Sequence, residues 1–261
     1  RLTMGAWPDL KNPRTFNEKI QWLKLNDHNP VYSTLVDKYA VKEYIADKIG
    51  EKYIIPLAGG PWYSADDIDF NSLPEQFVLK CNHDSGGMAI CRDKSTFDPE
   101  AARELLRKHL KINYYYGGRE WPYKNVRPCV FAEKYMQDGE TENLSVYKIL
   151  CFGGEPKIFQ TIQNDKTSNE SIDYFDTKWN LLDMRQSFPN SERPLDRPAA
   201  MEEMLYLAGK LSKGFPLLRT DFYSINGKVY FSELTLYSDR GLGVFDPPEW
   251  DEILGSWINL P

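Results

Sequence analysis

Apolar positions along this chain alternate between helical and two-residue spacing. Phe16, Ile20 and Leu23 recur at helical intervals, and Thr15 with Glu18 has the form of a capping box, so a first helix is expected over Thr15 to Leu25. A second is expected from about Leu35 to Ile49, closed by Gly50, with Asp37, Lys38 and Lys42 on its first turns. An extended stretch then reaches Pro56, and Gly59-Gly60-Pro61 reads as a turn. Gln76 to Cys81 is rich in strand formers and runs directly into His83-Asp84-Ser85-Gly86-Gly87. Asp98 and Pro99 open a third helix that reaches Ile112, as N-cap and first helical residue. The aromatic, glycine-containing run from Tyr114 to Tyr123 reads as a loop or lid.

Strand patterning dominates the second half. Val130 to Met136 and Ser145 to Phe152 are separated by the acidic turn Gln137 to Asn143, and Lys157 to Ile162 returns across Gly153-Gly154. An antiparallel sheet is expected. Residues 164–200 are polar and proline-rich around Ile172 to Trp179, before a helix from Met201 to Gly209. Leu217 to Ser224 and Lys228 to Leu236 form a hairpin, with Asn226-Gly227 supplying the positive backbone angles of a tight turn.

Composition narrows the class. With 261 residues, 41% of them hydrophobic, the chain can bury a sizeable core. Its net charge of −6 argues against a general binder of nucleic acid or anionic membrane. No apolar run approaches the ~20 residues that span a bilayer, and no charged leader precedes an apolar stretch, so a soluble chain is expected. Cys81, Cys91, Cys129 and Cys151 lack metal-type pairing and read as reduced core thiols, as in a cytosolic enzyme.

Three constellations could carry chemistry. On the hairpin, Arg219 and Asp221 share one strand face, as do Glu233 and Thr235; pairing around Asn226-Gly227 would gather two carboxylates and a guanidinium. Such carboxylates suit a hard cation held against phosphates, although an ordinary salt-bridged surface has the same spacing. Lys80 leading into Ser85-Gly86-Gly87 could close backbone N–H groups over phosphates, although a strand followed by a glycine turn is common, and the order is not that of a P-loop. Ala132 to Met136 could read an adenine edge or be a half-buried strand.

The order of these pieces resembles the ATP-grasp superfamily: Asp37-Lys38 with Lys42, Lys80 with its Ser-Gly-Gly loop, Glu133-Lys134-Tyr135-Met136, then Arg219-x-Asp221 and Glu233-x-Thr235. The wording FNEKIQWLK, LVDKYAVKEYI, FVLKCNHDSGGM and TDFYSINGKVYFSELT, followed by FDPPEWD, is similar to its teichuronopeptide-biosynthesis (TupA-like) branch from about Asn12 onward. The resemblance implies an α+β ATP-grasp fold, two α+β lobes with antiparallel sheets gripping ATP between them. Expected segments are 1–75 as an amino-terminal or linker lobe, 76–135 as a small nucleotide-gripping lobe and 136–261 as a metal-binding lobe.

Residue by residue, the resemblance implies that Lys38 and Lys80 contact ATP phosphates under a loop running from His83 through Ser85, Gly86 and Gly87. Glu133, Lys134, Tyr135 and Met136 would form the adenine hinge, and Glu140 or Glu142 would bind the ribose. Asp221 and Glu233 would hold magnesium (Mg2+, with Mn2+ as a substitute), and Arg219 would face an acyl phosphate. Lys178, within Tyr-Phe-Asp-Thr-Lys, is similar to a further phosphate-contacting lysine. Thr235 departs from the asparagine that many relatives use as third ligand, and offers a neutral hydroxyl instead. His83 is read first as a structural or ATP-contacting group.

The activity so implied is a carboxylate–amine ligation through an acyl phosphate, attaching an amino acid or other amine to a uronic acid of a bacterial surface polysaccharide. The setting would be cytoplasmic, at the inner membrane face where lipid-linked glycan precursors lie. A kinase acting on a glycan hydroxyl is the alternative within the fold. A glycosyltransferase-like or glycan-binding protein is the alternative outside it, given 7 Trp and 16 Tyr. Tyr114 to Tyr123 and Asp239 to Trp250 are the expected acceptor walls.

Overall fold

The computed structural model describes residues 7–139, 144–163 and 168–261. Its helices are α1 (Phe16–Asn26), α2 (Val31–Val36), α3 (Val41–Ile49), α4 (Pro99–Leu110), α5 (Tyr115–Gly118), α6 (Met201–Ser212) and α7 (Glu249–Trp257). Its strands are β1 (Leu57–Trp62), β2 (Phe77–Cys81), β3 (Met88–Cys91), β4 (Val130–Lys134), β5 (Val146–Phe152), β6 (Glu155–Gln163), β7 (Ser171–Asp176), β8 (Arg185–Gln186), β9 (Leu217–Ile225), β10 (Lys228–Thr235) and β11 (Phe245–Asp246). Contacts divide the chain into two compact units. One joins the chain up to Asn29 with Asp138–Pro261, and the other is Pro30–Gln137. Residues 30–75 therefore fold with 76–137, whereas the first helix belongs with the carboxy-terminal half.

In the Pro30–Gln137 unit, four antiparallel strands run in the order β1-β4-β2-β3. One sheet face carries Phe77, Leu79, Cys81, Val130 and Ala132 into a core closed by Leu106 of α4. Alternation leaves Val78, Lys80, Phe131 and Glu133 on the other face, where Tyr39 lies 5.6 Å from the Phe131 ring. Asp98 caps α4 through Glu100 N and Ala101 N at 3.0 Å, ahead of Pro99, as the sequence predicts.

In the other unit, five antiparallel strands run β10-β9-β5-β6-β7. Met201, Met204, Ala208 and Leu211 form the buried stripe of α6, which packs on the sheet face bearing Thr220 and Cys151. At one end of the opposite face, Phe152 meets Phe16 of α1 and Trp257 of α7 at 6.4 and 5.2 Å. The Thr15–Glu18 capping box is present at α1, and Asn226 and Gly227 take φ of 51° and 74° in a two-residue turn.

Three expectations are corrected. The helix expected over Leu35 to Ile49 is two helices, because Asp37 Oδ1 accepts from Tyr39 N and Ala40 N at 2.9 and 3.0 Å and makes a fresh start for α3. Gly59-Gly60-Pro61 lies within β1 rather than in a turn. That strand is an edge with two irregularities against β4, a position that tolerates a residue without an N–H. The Tyr114 to Tyr123 run holds the short helix α5 and the start of a 3₁₀ turn.

Gly60, at φ 97°, approaches β4 so closely that an added β-carbon would sit 2.9 Å from Phe131 Cα. Gly50, at φ 115°, has open space around the same position. Gly60→Ala is therefore expected to destabilise the protein by about 1–3 kcal/mol more than Gly50→Ala, which isolates the backbone strain alone. Urea unfolding of both variants checks this, and equal losses would show that the contact with β4 costs nothing.

Candidate active site

The Pro30–Gln137 unit gathers Lys42, Lys80 and Glu133 on the sheet face opposite α4. Glu133 of β4 is 5% exposed and its carboxylate is bound from two sides. Lys42, from α3, donates to Oε1, and Lys80, from β2, places Nζ 2.6 Å from Oε2. Burial alone would raise the Glu133 pKa, but the Lys80 and Lys42 ammoniums more than reverse this and hold it below the usual carboxylate range. Burial pushes Lys42 down, and Glu133 offsets only part of that.

The glycine loop after β2 is tied down on its inner side. Asn82 Nδ2 donates to Asp37 Oδ2 at 2.9 Å and its Oδ1 accepts from Cys129 N at 2.8 Å. Lys38 donates twice, from its backbone N to Asn82 O and from Nζ to Asp84 O, both at 2.9 Å. His83 is 2% exposed and its Nε2 faces the His109 and Ile112 carbonyls at the end of α4, at 3.2 and 3.0 Å. Because carbonyls only accept, Nε2 carries the proton, and burial holds the ring pKa down, so neutral His83 serves as a C-terminal cap for α4. Ser85 and Gly86 at the loop tip are exposed, whereas Gly87 is buried against Asp84 and Cys81, which an added β-carbon would meet at 2.6 and 2.9 Å.

In the other unit, pairing of β9 with β10 sets Asp221 opposite Glu233 and Arg219 opposite Thr235, with an irregularity between Phe231 and Glu233 that re-aims the second strand. The Arg219 guanidinium binds Asp221 through two parallel hydrogen bonds, Nε to Oδ1 at 2.8 Å and Nη2 to Oδ2 at 2.9 Å. Burial works against the Arg219 charge, but Asp221, Glu233 and Asp239 together raise its pKa. Register continues the row through Lys148 of β5, whose Nζ is 3.9 Å from Asp221 Oδ2, to Gln160 of β6 and Tyr174 of β7. Tyr174 is 2% exposed, and its hydroxyl has no hydrogen-bond partner among the described residues. No group of three or more His, Cys, Asp or Glu side chains fit for a metal occurs among the described residues. The donor set is two carboxylates and a hydroxyl, which suits a hard divalent cation completed by phosphate and water oxygens; each Asp221 oxygen accepts one hydrogen bond from Arg219 and keeps a further lone pair.

The structure thus brings Arg219, Asp221, Glu233 and Thr235 together, and Lys38, Lys80 and Glu133 onto one set of neighbouring elements. Lys134 is exposed at the end of β4 and the Tyr135 hydroxyl accepts from Arg92 Nε at 3.3 Å; both line an open groove of about 630 Å³ with Pro56 and Pro74. Met136 follows, half-buried. Lys178 lies exposed in the turn after β7, the sheet edge farthest from β10. Glu140 and Glu142 lie outside the described residues. Sequence reading missed Lys148, whose only signal is a lysine inside the apolar run VYKILCF, and Gln160 and Tyr174, which no local pattern marks.

An α+β chain with a four-stranded and a five-stranded antiparallel sheet and these ordered clusters has the ATP-grasp architecture. The profile of the TupA-like ATPgrasp family matches residues 18–259, and the chain belongs to that family. No curated protein matches the chain. Among solved structures it is similar to the D-alanine–D-alanine ligase of Bacillus anthracis, at 17% identity and TM-score 0.45, covering 83% of this chain and 63% of that one. The same enzyme complexed with ATP gives 15% identity and TM-score 0.44, covering 78% and 54%. N5-carboxyaminoimidazole ribonucleotide synthetase from Thermus thermophilus gives 12% identity and TM-score 0.44, covering 85% and 51%. The chain therefore spans between about half and five-eighths of the length of these proteins.

Glu133→Gln would leave two ammoniums close together without their counter-charge, and is expected to cost roughly 3 kcal/mol or more. Because the folded-state pKa is lowered, the wild-type advantage is fully present above the ordinary value of 4.5 and is lost as pH falls through the lower folded-state value. Thermal unfolding of both proteins across that window checks the sign, and parallel curves would refute the assignment.

Proposed function

We propose that this chain is an ATP-dependent carboxylate–amine ligase working through an acyl phosphate. Membership of the TupA-like ATP-grasp family supports it, and the observation that carries it is the hairpin pairing of Asp221 with Glu233 and of Arg219 with Thr235. A carboxylate oxygen attacks the γ-phosphorus of ATP, the bond to the bridging oxygen breaks, and ADP leaves. The amine nitrogen then attacks the acyl carbon, phosphate departs with the C–O bonding pair, and the nitrogen loses a proton to give the amide.

The protein's part is placement and charge neutralisation. Lys38 and Lys80 balance the nucleotide phosphates beside Ser85, Gly86 and Gly87, and the backbone from Glu133 to Met136 reads the adenine edge. Asp221 and Glu233, with Thr235 directly or through water, would hold a magnesium ion, which supplies charge neutralisation at the phosphoryl oxygens. Arg219, kept charged by Asp221, stabilises the acyl-phosphate oxyanion. As to substrates, we infer an amino acid or similar amine joined to a uronic acid in bacterial surface-polysaccharide synthesis, in the cytoplasm where ATP is supplied.

The test is to incubate the protein with ATP, magnesium, a uronic-acid glycoside and a mixed amine pool, following ADP, phosphate and acceptor mass. The expected outcome is ADP, free phosphate and an amide-sized mass gain, reduced on the order of 10²-fold or more in Glu233→Gln and Asp221→Asn. A phosphorylated acceptor would replace the ligase reading with a kinase, and absence of Mg-ATP binding would end both.

A further inference from the structure

The end of α4 presents an aspartate–histidine pair to the glycine loop, and nothing in the proposed reaction uses it. Asp84 is 4% exposed; its Oδ2 is bound by His109 Nδ1, and its Oδ1 is buried without a hydrogen-bond partner. Since a carboxylate only accepts, Nδ1 carries the proton and the ring orientation is set. The His109 side chain is 20% exposed, and Nε2 has no protein partner among the described residues. Its Cε1 lies 3.7 Å from where a β-carbon on Gly86 would stand, so the ring rests against the loop tip at the residue whose φ of 100° favours glycine. Lys38 Nζ, on the Asp84 carbonyl, adds a cation to the same loop.

Anchorage alone does not account for the pair. His83 already joins this loop to the end of α4 through the His109 and Ile112 carbonyls. A second tie made with a buried carboxylate, one oxygen of it unpartnered, costs stability that a purely structural link would avoid. What the pair does provide is an imidazole aimed by a carboxylate that can balance a positive ring.

We propose that His109 is a phosphate-binding residue of the glycine loop, aimed by Asp84: the ring takes up a second proton from solvent as the nucleotide binds, Nε2–H donates to a phosphate oxygen, and Asp84 balances the ring charge. This rests on the nucleotide reading above. A charge-assisted bond of this kind adds to the neutralisation supplied by Lys38 and Lys80 and distinguishes phosphorylated ligands from the bare nucleoside.

The chain has three histidines, His28, His83 and His109, so nitrogen-15 histidine labelling gives a small set of signals, and His109→Gln assigns one ring by its loss. In the wild type, the His109 Nε2 resonance is expected to shift on saturation with Mg-ATP and to stay in place with adenosine. Calorimetry on His109→Gln and His109→Ala, each verified by circular dichroism to be folded at the temperature of measurement, is expected to show Mg-ATP binding roughly tenfold weaker or more, with adenosine binding unaltered. Mg-ATP binding with a silent His109 signal, or equal losses for ATP and adenosine, would overturn the inference while leaving the ligase reading intact. A wild type that binds no Mg-ATP would remove both.

Discussion

One buried carboxylate organises the Pro30–Gln137 unit. Glu133 sits on β4, which pairs with β1 on one side and β2 on the other, so its position is fixed by two ladders. Through Lys42 it anchors α3, and through Lys80 it holds the strand that leads into the glycine loop. Two ammoniums on one face of a sheet would repel; with one carboxylate between them the cluster keeps a single excess positive charge. Part of their desolvation is borne during folding, and the shared carboxylate fixes the direction in which each ammonium points. The other unit repeats the arrangement, with Asp221 held by Arg219 and flanked by Lys148.

The glycine loop is built from the same economy of local ties. Asp37 starts α3 with one oxygen and holds Asn82 with the other, and Lys38, the next residue, binds the loop backbone at both ends of its own length. Asn82 in turn prolongs the β2–β4 pairing through Cys129. The inner half of the loop is thereby stiff, while Ser85 and Gly86 remain open at the tip. A loop whose base is fixed and whose tip is small loses little conformational entropy on closing over a ligand.

What was legible in the sequence was whatever is decided within a few residues. The Thr15–Glu18 box, the Asp98-Pro99 start and the Asn226-Gly227 turn all state their geometry locally, and all three are present. Family wording added the order of the clusters, but the turn alone would set Asp221 opposite Ser232; the irregularity between Phe231 and Glu233, which no local pattern marks, brings Glu233 there. Gly59-Gly60-Pro61 was misread because whether such a run is a turn or an edge strand depends on β4, some seventy residues further along the chain. The Lys42–Glu133 pair, 91 residues apart, and the Lys148–Gln160–Tyr174 row have no local signature at all. His109 was hidden differently: a basic residue in the last turn of a helix is already explained by the helix dipole, which masks any further role.

The distribution of charge also reconciles an acidic chain with the proposed phosphate ligand. A net charge of −6 repels polyanions at a distance, yet beyond roughly 8 Å at physiological salt that repulsion is screened. Inside that range an anion near the Pro30–Gln137 unit senses Lys42 and Lys80 beside Glu133 and Lys38 on the Asp84 carbonyl, and one near the other unit senses Lys148 and Arg219 beside Asp221. A small multiply charged ligand can enter such a field and find donors in fixed directions. Pairing Lys42 and Lys80 with Glu133, and Lys148 and Arg219 with Asp221, keeps the charge of each cluster local to it.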